Sequence, residues 1–143
     1  FVVATKENEK DWTRLFECLV EGNRRWAFRA PVLMLSVASM HFEDDGKPNR
    51  HALHDMGLAT ENLVLQATAS GLVAHQMAGF DVEKARVDLH IPAGYEPVAM
   101  IAIGYPGNPD ILPERLRERE LRPRSRRPIG EWTFWGQWGT RIP

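Results

Sequence analysis

The amino-acid sequence predicts one sheet covered by helices, in either an α/β or an α+β arrangement. Two near-continuous apolar runs, residues 32–38 and 98–104, are typical of central strands that are covered on both faces. Other segments repeat apolar residues at helical spacing, and the longest runs from about residue 49 to residue 70. Because strand-like and helical segments alternate without a repeat or an obvious linker, we expect a single domain over residues 1–143.

The composition excludes several classes of protein. Hydrophobic residues make up 43% of the 143 residues, and 18 Lys and Arg oppose 19 Asp and Glu, which gives a net charge of -1. This balance argues against a general attraction to nucleic acid or to an anionic membrane, and no apolar run approaches the ~20 residues that cross a bilayer. The single cysteine, Cys18, excludes an internal disulfide and a multi-cysteine metal site. It is compatible with the reducing cytoplasm, where we expect the protein.

The first elements follow from apolar spacing and capping residues. Residues 1–4 form an apolar run that predicts a buried strand, and because a buried strand is an unusual start for a chain, we expect the sequence to be N-terminally incomplete. Asn8 is a suitable N-cap for a helix over residues 9–21, which Gly22 is placed to end. A basic and aromatic stretch over residues 23–29 predicts a short helix.

The later elements are shorter. After the long helix, residues 72–77 predict a strand, and Asp81 is the expected N-cap of a short helix over residues 82–89. The segment 131–138 contains three of the five tryptophans and is strand-like. In the long helix itself the spacing predicts an apolar stripe, made of Leu53, Met56, Ala59, Leu63 and Ala67.

Simple catalytic and metal motifs give no strong signal. His51, His54 and Asp55 lie on adjacent turns of the long helix, where a solvated helix face is a far more common interpretation than a metal site. Cys18 lies among apolar neighbours and is interpreted as a buried structural thiol rather than a nucleophile. The sequence contains no His-Glu-x-x-His, Gly-x-Ser-x-Gly, P-loop or Gly-x-Gly-x-x-Gly pattern.

An arginine-rich segment, residues 122–128, is a candidate phosphate site. Arg124 and Arg126 are two positions apart, so in an extended segment they point to the same side. Their guanidinium groups match the oxygens of a phosphate. The alternative is an ordinary solvated charged stretch, which composition alone favours.

A second candidate is the segment 71–81, centred on Gly79. A glycine there permits either a close approach of the backbone to a flat ligand or an unusual backbone dihedral. The alternative is a tight turn before the helix that Asp81 caps, and the sequence alone does not choose between the two.

These pieces occur in a fixed order over nearly the whole chain. The segments that carry a resemblance are residues 55–63, 69–72, 77–81, 97–99, 103–106 and 124–129, together with the aromatic tail. In this order and spacing they resemble the flavin-dependent nitroreductase family. Each segment alone is weakly specific, whereas the ordered set is fairly specific. The family's opening Arg-Arg-Ser-type motif is absent here, which agrees with a late start of the sequence.

The resemblance implies a fold and a cofactor site. The implied fold is α+β, a three-layer sandwich whose central sheet is flanked by helices, in a close homodimer that exchanges its C-terminal arm and binds FMN at the subunit interface. The implied site has a backbone amide near Ala78 and Gly79 facing the N5 edge of the flavin, while Arg124 and Arg126 hold the phosphate. The expected cofactor-binding residues are Gln76, Met77, Ala78, Gly79, Arg124 and Arg126.

The resemblance also implies an activity. We expect an FMN-dependent oxidoreductase that passes electrons from NAD(P)H to a nitroaromatic, a quinone or a similar small acceptor, with no partner nucleic acid or membrane. The cofactor carries the redox chemistry, so no catalytic acid or base is assigned. The alternative is a flavin-binding or interaction protein without turnover. A third and less favoured interpretation is nucleic-acid binding through the arginine-rich segment, against which the balanced net charge argues.

Overall fold

A four-stranded antiparallel sheet forms the centre of the first of two units in the computed structural model, which describes residues 1–142. This unit spans Phe1–Gly107, and the second begins at Asn108. The strand order is β1-β2-β4-β3, and the strands are β1 (Val2–Thr5), β2 (Val32–Ser39), β3 (Val73–Met77) and β4 (Tyr95–Gly104). The two central strands are the two apolar runs, as predicted, and the antiparallel pairing makes the fold α+β. The single-domain expectation stays a prediction.

Helices cover both faces of the sheet in this unit. They are α1 (Glu9–Glu17), α2 (Glu21–Ala27), α3 (Ala52–Ala69) and α4 (Val82–Asp88). On one face Leu33 and Leu35 join Leu15 of α1 in the main hydrophobic cluster, where all three are completely buried. Each such side chain contributes about 1.5–3 kcal/mol of burial free energy. The three-layer arrangement that the resemblance implies is therefore confirmed for this unit.

The long helix α3 packs on β2 and β3 through small residues. Its buried residues are Ala52, Thr60 and Ala67, which lie outside the main cluster and so cover the opposite face of the sheet. The predicted stripe is wrong in Leu53 and Ala59, which are exposed. The helix packs through its small side chains because they allow a closer approach to the sheet. The helix is therefore rotated about its axis relative to the prediction, and leucines of α3 lie on its outer surface.

The helix predicted over residues 9–21 is shorter than expected, and the short helix predicted over residues 23–29 is present as α2 but begins earlier. The first ends at Glu17, and Gly22 lies within the second instead of ending the first. Between them Leu19 pairs with Phe80 in an isolated antiparallel bridge, which holds the backbone extended. This pairing joins residues 61 positions apart in the chain, so the local helical spacing cannot reveal it.

The second unit contains a helix, α5, and two short 3₁₀ turns. Their bounds are Pro109–Ile111, Glu114–Leu121 for α5, and Ile129–Glu131. The strand predicted over residues 131–138 is wrong, because the described chain forms only a single bridge there, between Phe134 and Arg141. Gly136 and Gly139 have φ values of 71° and 89°, so the chain turns where a strand would have continued.

Cys18 is a buried thiol, as predicted from its apolar neighbours. It is 1% exposed, and its Sγ donates a hydrogen bond to the Arg14 carbonyl at 3.3 Å. Burial raises the pKa of the Cys18 thiol, and the negative charge of Asp88 raises it further. Both effects favour the neutral thiol, which is a poor nucleophile.

We therefore expect a thiol reagent such as 5,5′-dithiobis(2-nitrobenzoic acid) to modify Cys18 at pH 8 only as fast as the protein opens. The buried neutral thiol also makes folding stability depend on pH, because the pKa of Cys18 is higher in the folded protein than in the unfolded chain. The contribution of Cys18 to the free energy of unfolding is fully present below the unfolded thiol pKa of about 8.5. It is lost as the pH rises through the pKa of the folded protein. The control is the same reaction in denaturing urea, where labelling should be immediate. Rapid stoichiometric labelling of the native protein would contradict the burial.

Candidate functional site

The segment expected to contact the cofactor is a tight turn directly after β3. The Phe80 amide donates to the Ala78 carbonyl at 3.1 Å, which closes the turn around Gly79. The Gly79 carbonyl accepts two hydrogen bonds from the start of α2, one from the Val20 amide at 3.1 Å and one from Asn23 Nδ2 at 2.9 Å. The turn is therefore fixed both internally and from outside.

Residue 79 is glycine because α2 lies too close for a side chain. A Cβ atom there would be 2.8 Å from Asn23 Nδ2 and 2.9 Å from Val20 Cγ2, which are overlaps rather than contacts. Its φ is not positive, so an unusual dihedral is not the reason. The structure therefore shows the tight turn of the alternative interpretation, packed against α2, while the approach of Gly79 to a flat ligand stays a prediction.

Two backbone donors of the turn are unpaired. The amides of Ala78 and Gly79 donate no hydrogen bond to any group within residues 1–142. Ala78 is exposed and Gly79 is partly buried. Fixed N–H groups at a surface can bind hydrogen-bond acceptors of a ligand without first breaking a protein hydrogen bond.

The other two predicted residues of this segment differ in exposure. Met77 is buried in the main cluster at 3% exposure, so its side chain belongs to the core. Gln76 is exposed and lies opposite Ile101 in the sheet. Since β3 is an edge strand, its free edge and the turn after it form one continuous surface.

Asn23 and Val20 were missed by the sequence reasoning. Asn23 lies in the basic stretch predicted as a short helix, and Val20 lies in the helix predicted over residues 9–21. No local pattern marks either residue as a neighbour of Gly79, because both contacts join distant positions of the chain, 56 apart for Asn23. Only the tertiary pairing of the two segments reveals it.

The predicted phosphate-binding arginines lie in the second unit. Arg124 and Arg126 are exposed, in an irregular segment between α5 and the following 3₁₀ turn. Arg126 Nη1 donates to the Ser125 carbonyl at 3.0 Å, and Arg127 Nε pairs with Glu131 Oε2 at 2.9 Å. Neither Arg124 nor Arg126 forms an ion pair with any described residue, so both charges face solvent.

Comparison with known proteins gives the family. The model of the nitroreductase family matches residues 3–105. A protein of Mycolicibacterium smegmatis, described as "Uncharacterized 15.4 kDa protein in ask 5'region", is 36% identical over 134 residues, which cover 94% of this chain and 88% of that protein. A solved structure described as "The crystal structure of the oxidoreductase containing FMN" is 36% identical with a TM-score of 0.91, covering 98% of this chain and 71% of that chain.

More distant structures share the fold. A nitroreductase family protein from Streptococcus pneumoniae has a TM-score of 0.64 at 20% identity, over 92% of this chain and 76% of that chain. The antiparallel sheet between helices is thus a fold that this chain shares with an oxidoreductase that contains FMN. The chain belongs to the nitroreductase family, which confirms the resemblance.

The fit of the turn against α2 gives a direct prediction for Gly79→Ala. The added methyl would overlap Asn23 Nδ2 and Val20 Cγ2, so we expect the free energy of unfolding to fall by about 1–3 kcal/mol in urea titration. Gly22→Ala is the matched control, because no atom lies within 4 Å of its added Cβ, and it should be neutral or more stable by up to ~1 kcal/mol. Equal stability of the two variants would show that the turn is not held against α2.

Proposed function

We propose that the protein is an FMN-dependent oxidoreductase that takes electrons from NAD(P)H and passes them to a nitroaromatic, a quinone or a similar small acceptor. Membership of the nitroreductase family supports an oxidoreductase. The similar solved structure is an oxidoreductase that contains FMN, and it is 36% identical to this chain. When bound, FMN supplies the hydride and electron chemistry, and the protein supplies binding and orientation.

The observation that carries the proposal is the pair of unpaired amides in the turn. The edge of a flavin ring presents nitrogen and oxygen acceptors, and the N–H groups of Ala78 and Gly79 are donors of the matching kind. Two carbonyls of the turn are already bound, and these bonds hold the peptides that carry the two donors. A fixed donor makes its full hydrogen bond at no reorganisation cost, which is how preorganised sites act on a reacting group.

The arginines of the second unit are a separate part of the proposal, as ligands of the FMN phosphate. Arg124 and Arg126 carry charges with no ion-pair partner among the described residues, as a phosphate ligand requires. Arg127 is engaged by Glu131 and is therefore a poorer candidate. Gln76 and the Met77 backbone adjoin the turn on the edge strand, and we include them in the site.

The test of function is the reduction of bound flavin. The full-length chain should retain FMN or bind it when it is added, and the complex should oxidise NADH or NADPH under anaerobic conditions with loss of the flavin absorbance. An acceptor added afterwards should restore that absorbance. Binding without any reduction by either nicotinamide would instead favour a flavin-binding protein without turnover, and no binding would overturn the proposal.

Arg126→Ala tests the phosphate assignment. A charge-assisted hydrogen bond contributes roughly 1.5–3 kcal/mol, so the dissociation constant for FMN should rise about tenfold or more. Riboflavin lacks the phosphate, so its affinity should change little. Arg127→Ala is the control and should leave FMN affinity nearly unchanged, because Glu131 already pairs with that arginine. Equal losses for FMN and riboflavin would assign Arg126 to the fold.

We also propose a cytoplasmic homodimer that exchanges its C-terminal arm. Leu53, Leu58 and Leu65 are each more than half exposed on α3. In the tail, Trp132, Trp135 and Trp138 are 56%, 68% and 87% exposed. Apolar surface of this extent marks an interaction site.

The proposed cytoplasmic location rests on the one cysteine, which is free, as in a reducing compartment. Among the described residues, no helix combines the length and apolarity that crossing a membrane requires.

Deleting the tail from Glu131 onward should weaken the dimer. Each buried tryptophan contributes roughly a few kcal/mol, so the dimer dissociation constant from sedimentation equilibrium should rise at least tenfold. The control keeps the chain length and replaces Trp132, Trp135 and Trp138 with serine, which should produce most of the same effect. An unchanged dissociation constant in both variants would place the interface elsewhere.

A further inference from the structure

We propose that Asn23 is a positioning residue that sets the hydrogen-bond donor strength of the Gly79 amide. The inference rests on the proposed function, since the acceptor for that amide is the flavin ring. Asn23 does not reach the donor itself. It acts through two peptide groups that lie between its side chain and the Gly79 N–H.

The connection is a continuous series of hydrogen bonds. Asn23 Nδ2 donates to the Gly79 carbonyl at 2.9 Å, and that carbonyl shares its peptide group with the Phe80 amide. The Phe80 amide donates to the Ala78 carbonyl at 3.1 Å. That second carbonyl in turn shares its peptide group with the Gly79 amide, which is the unpaired donor at the end of the series.

Peptide resonance transmits the effect along this series. A hydrogen bond accepted by a carbonyl draws electron density from the nitrogen of the same peptide and makes its N–H a stronger donor, and bonds in series strengthen one another. The Ala78–Gly79 peptide is trans, so its N–H points away from the carbonyl that Phe80 holds. The Asn23 amide therefore polarises the Gly79 N–H, whose direction is fixed by the hydrogen bond from the Phe80 amide.

The positioning role can be separated from a structural one. The Gly79 carbonyl keeps the Val20 amide as a second donor at 3.1 Å when Asn23 is replaced. The neighbouring Asp81 amide also remains bonded to the Cys18 carbonyl at 2.8 Å. The turn thus retains two hydrogen bonds to the same segment, and what it loses is the polarisation that Asn23 supplies.

The expected effect on the flavin has a definite sign. Oxidised flavin offers a bare N5 acceptor to a donor N–H, whereas in reduced flavin the same nitrogen carries hydrogen. A weaker Gly79 donor should therefore lower the affinity for oxidised FMN more than for reduced FMN, and this raises the two-electron potential of the bound cofactor. A threefold selective loss corresponds to about 14 mV, since one decade is 29.6 mV for two electrons.

The test variant is Asn23→Leu, which keeps the approximate shape and removes the donor without adding charge. In the full-length, flavin-free protein, the Phe80 and Gly79 amide protons should both move upfield in a ¹H–¹⁵N spectrum. In the FMN-loaded protein, the affinity for oxidised FMN should fall about threefold, with the affinity for reduced FMN nearly unchanged and the potential raised accordingly. Gly22→Ala, on the same helix and without contacts to its added methyl, is the control and should move neither readout.

The following outcomes distinguish a positioning role of Asn23 from a purely structural one. If the chemical shifts of the two amide protons do not change in the flavin-free variant, the series of hydrogen bonds does not transmit the effect of Asn23, whether or not FMN binds. If both redox forms lose affinity equally and the potential stays constant, Asn23 only supports the fold and the proposal is overturned. Should Asn23→Leu not fold, Asn23→Ala makes the same predictions by only removing atoms. Failure of wild-type protein to bind FMN rejects the proposed function, while the spectrum of the flavin-free protein still tests transmission along the series of hydrogen bonds.

Discussion

The structure depends on a short clamp between the segment Cys18–Asn23 and the turn that follows β3. Three hydrogen bonds form the clamp: from Asp81 to the Cys18 carbonyl at 2.8 Å, and from Val20 and Asn23 to the Gly79 carbonyl at 3.1 and 2.9 Å. Because the backbone is extended at Leu19 and Val20, where the Leu19–Phe80 bridge and the bond from Val20 form, α1 and α2 are separate helices. Because the side chains of Val20 and Asn23 lie so close to the turn, residue 79 has no side chain.

The clamp is supported by the core beneath it. Leu19 lies between the bonded residues and is 1% exposed in the main hydrophobic cluster, and Phe80, its partner in the bridge, is 8% exposed. A single hydrogen bond contributes only about 0.5–1.5 kcal/mol, so three of them would not hold a loop against solvent without this burial. The core fixes the position of the turn, and the hydrogen bonds fix the orientation of its peptides. The result is a rigid backbone donor at the surface, which flexible side chains would not provide at the same entropic cost.

The sequence predicted the elements more completely than their connections. The four strands and the helix that Asp81 caps are local in origin, since apolar runs and a capping side chain are visible in a few residues. The position of the break between α1 and α2 and the role of Asn23 are not local, because each depends on a partner near residue 80. The exposed leucines of α3 have a similar cause, because packing against the sheet decides which face of the helix is buried. The strand predicted in the aromatic tail is wrong because the turns at Gly136 and Gly139 outweigh the local strand propensity.

The central claim is that the turn after β3 presents the Gly79 amide to a flavin. The most direct measurement is a crystal structure of the full-length protein with FMN bound. We expect the Gly79 nitrogen at about 2.7–3.2 Å from an acceptor on the flavin ring, with the hydrogen bonds from Val20 and Asn23 to the Gly79 carbonyl retained. A flavin ring bound away from this turn, or a turn that has left α2 to accommodate it, would contradict the claim.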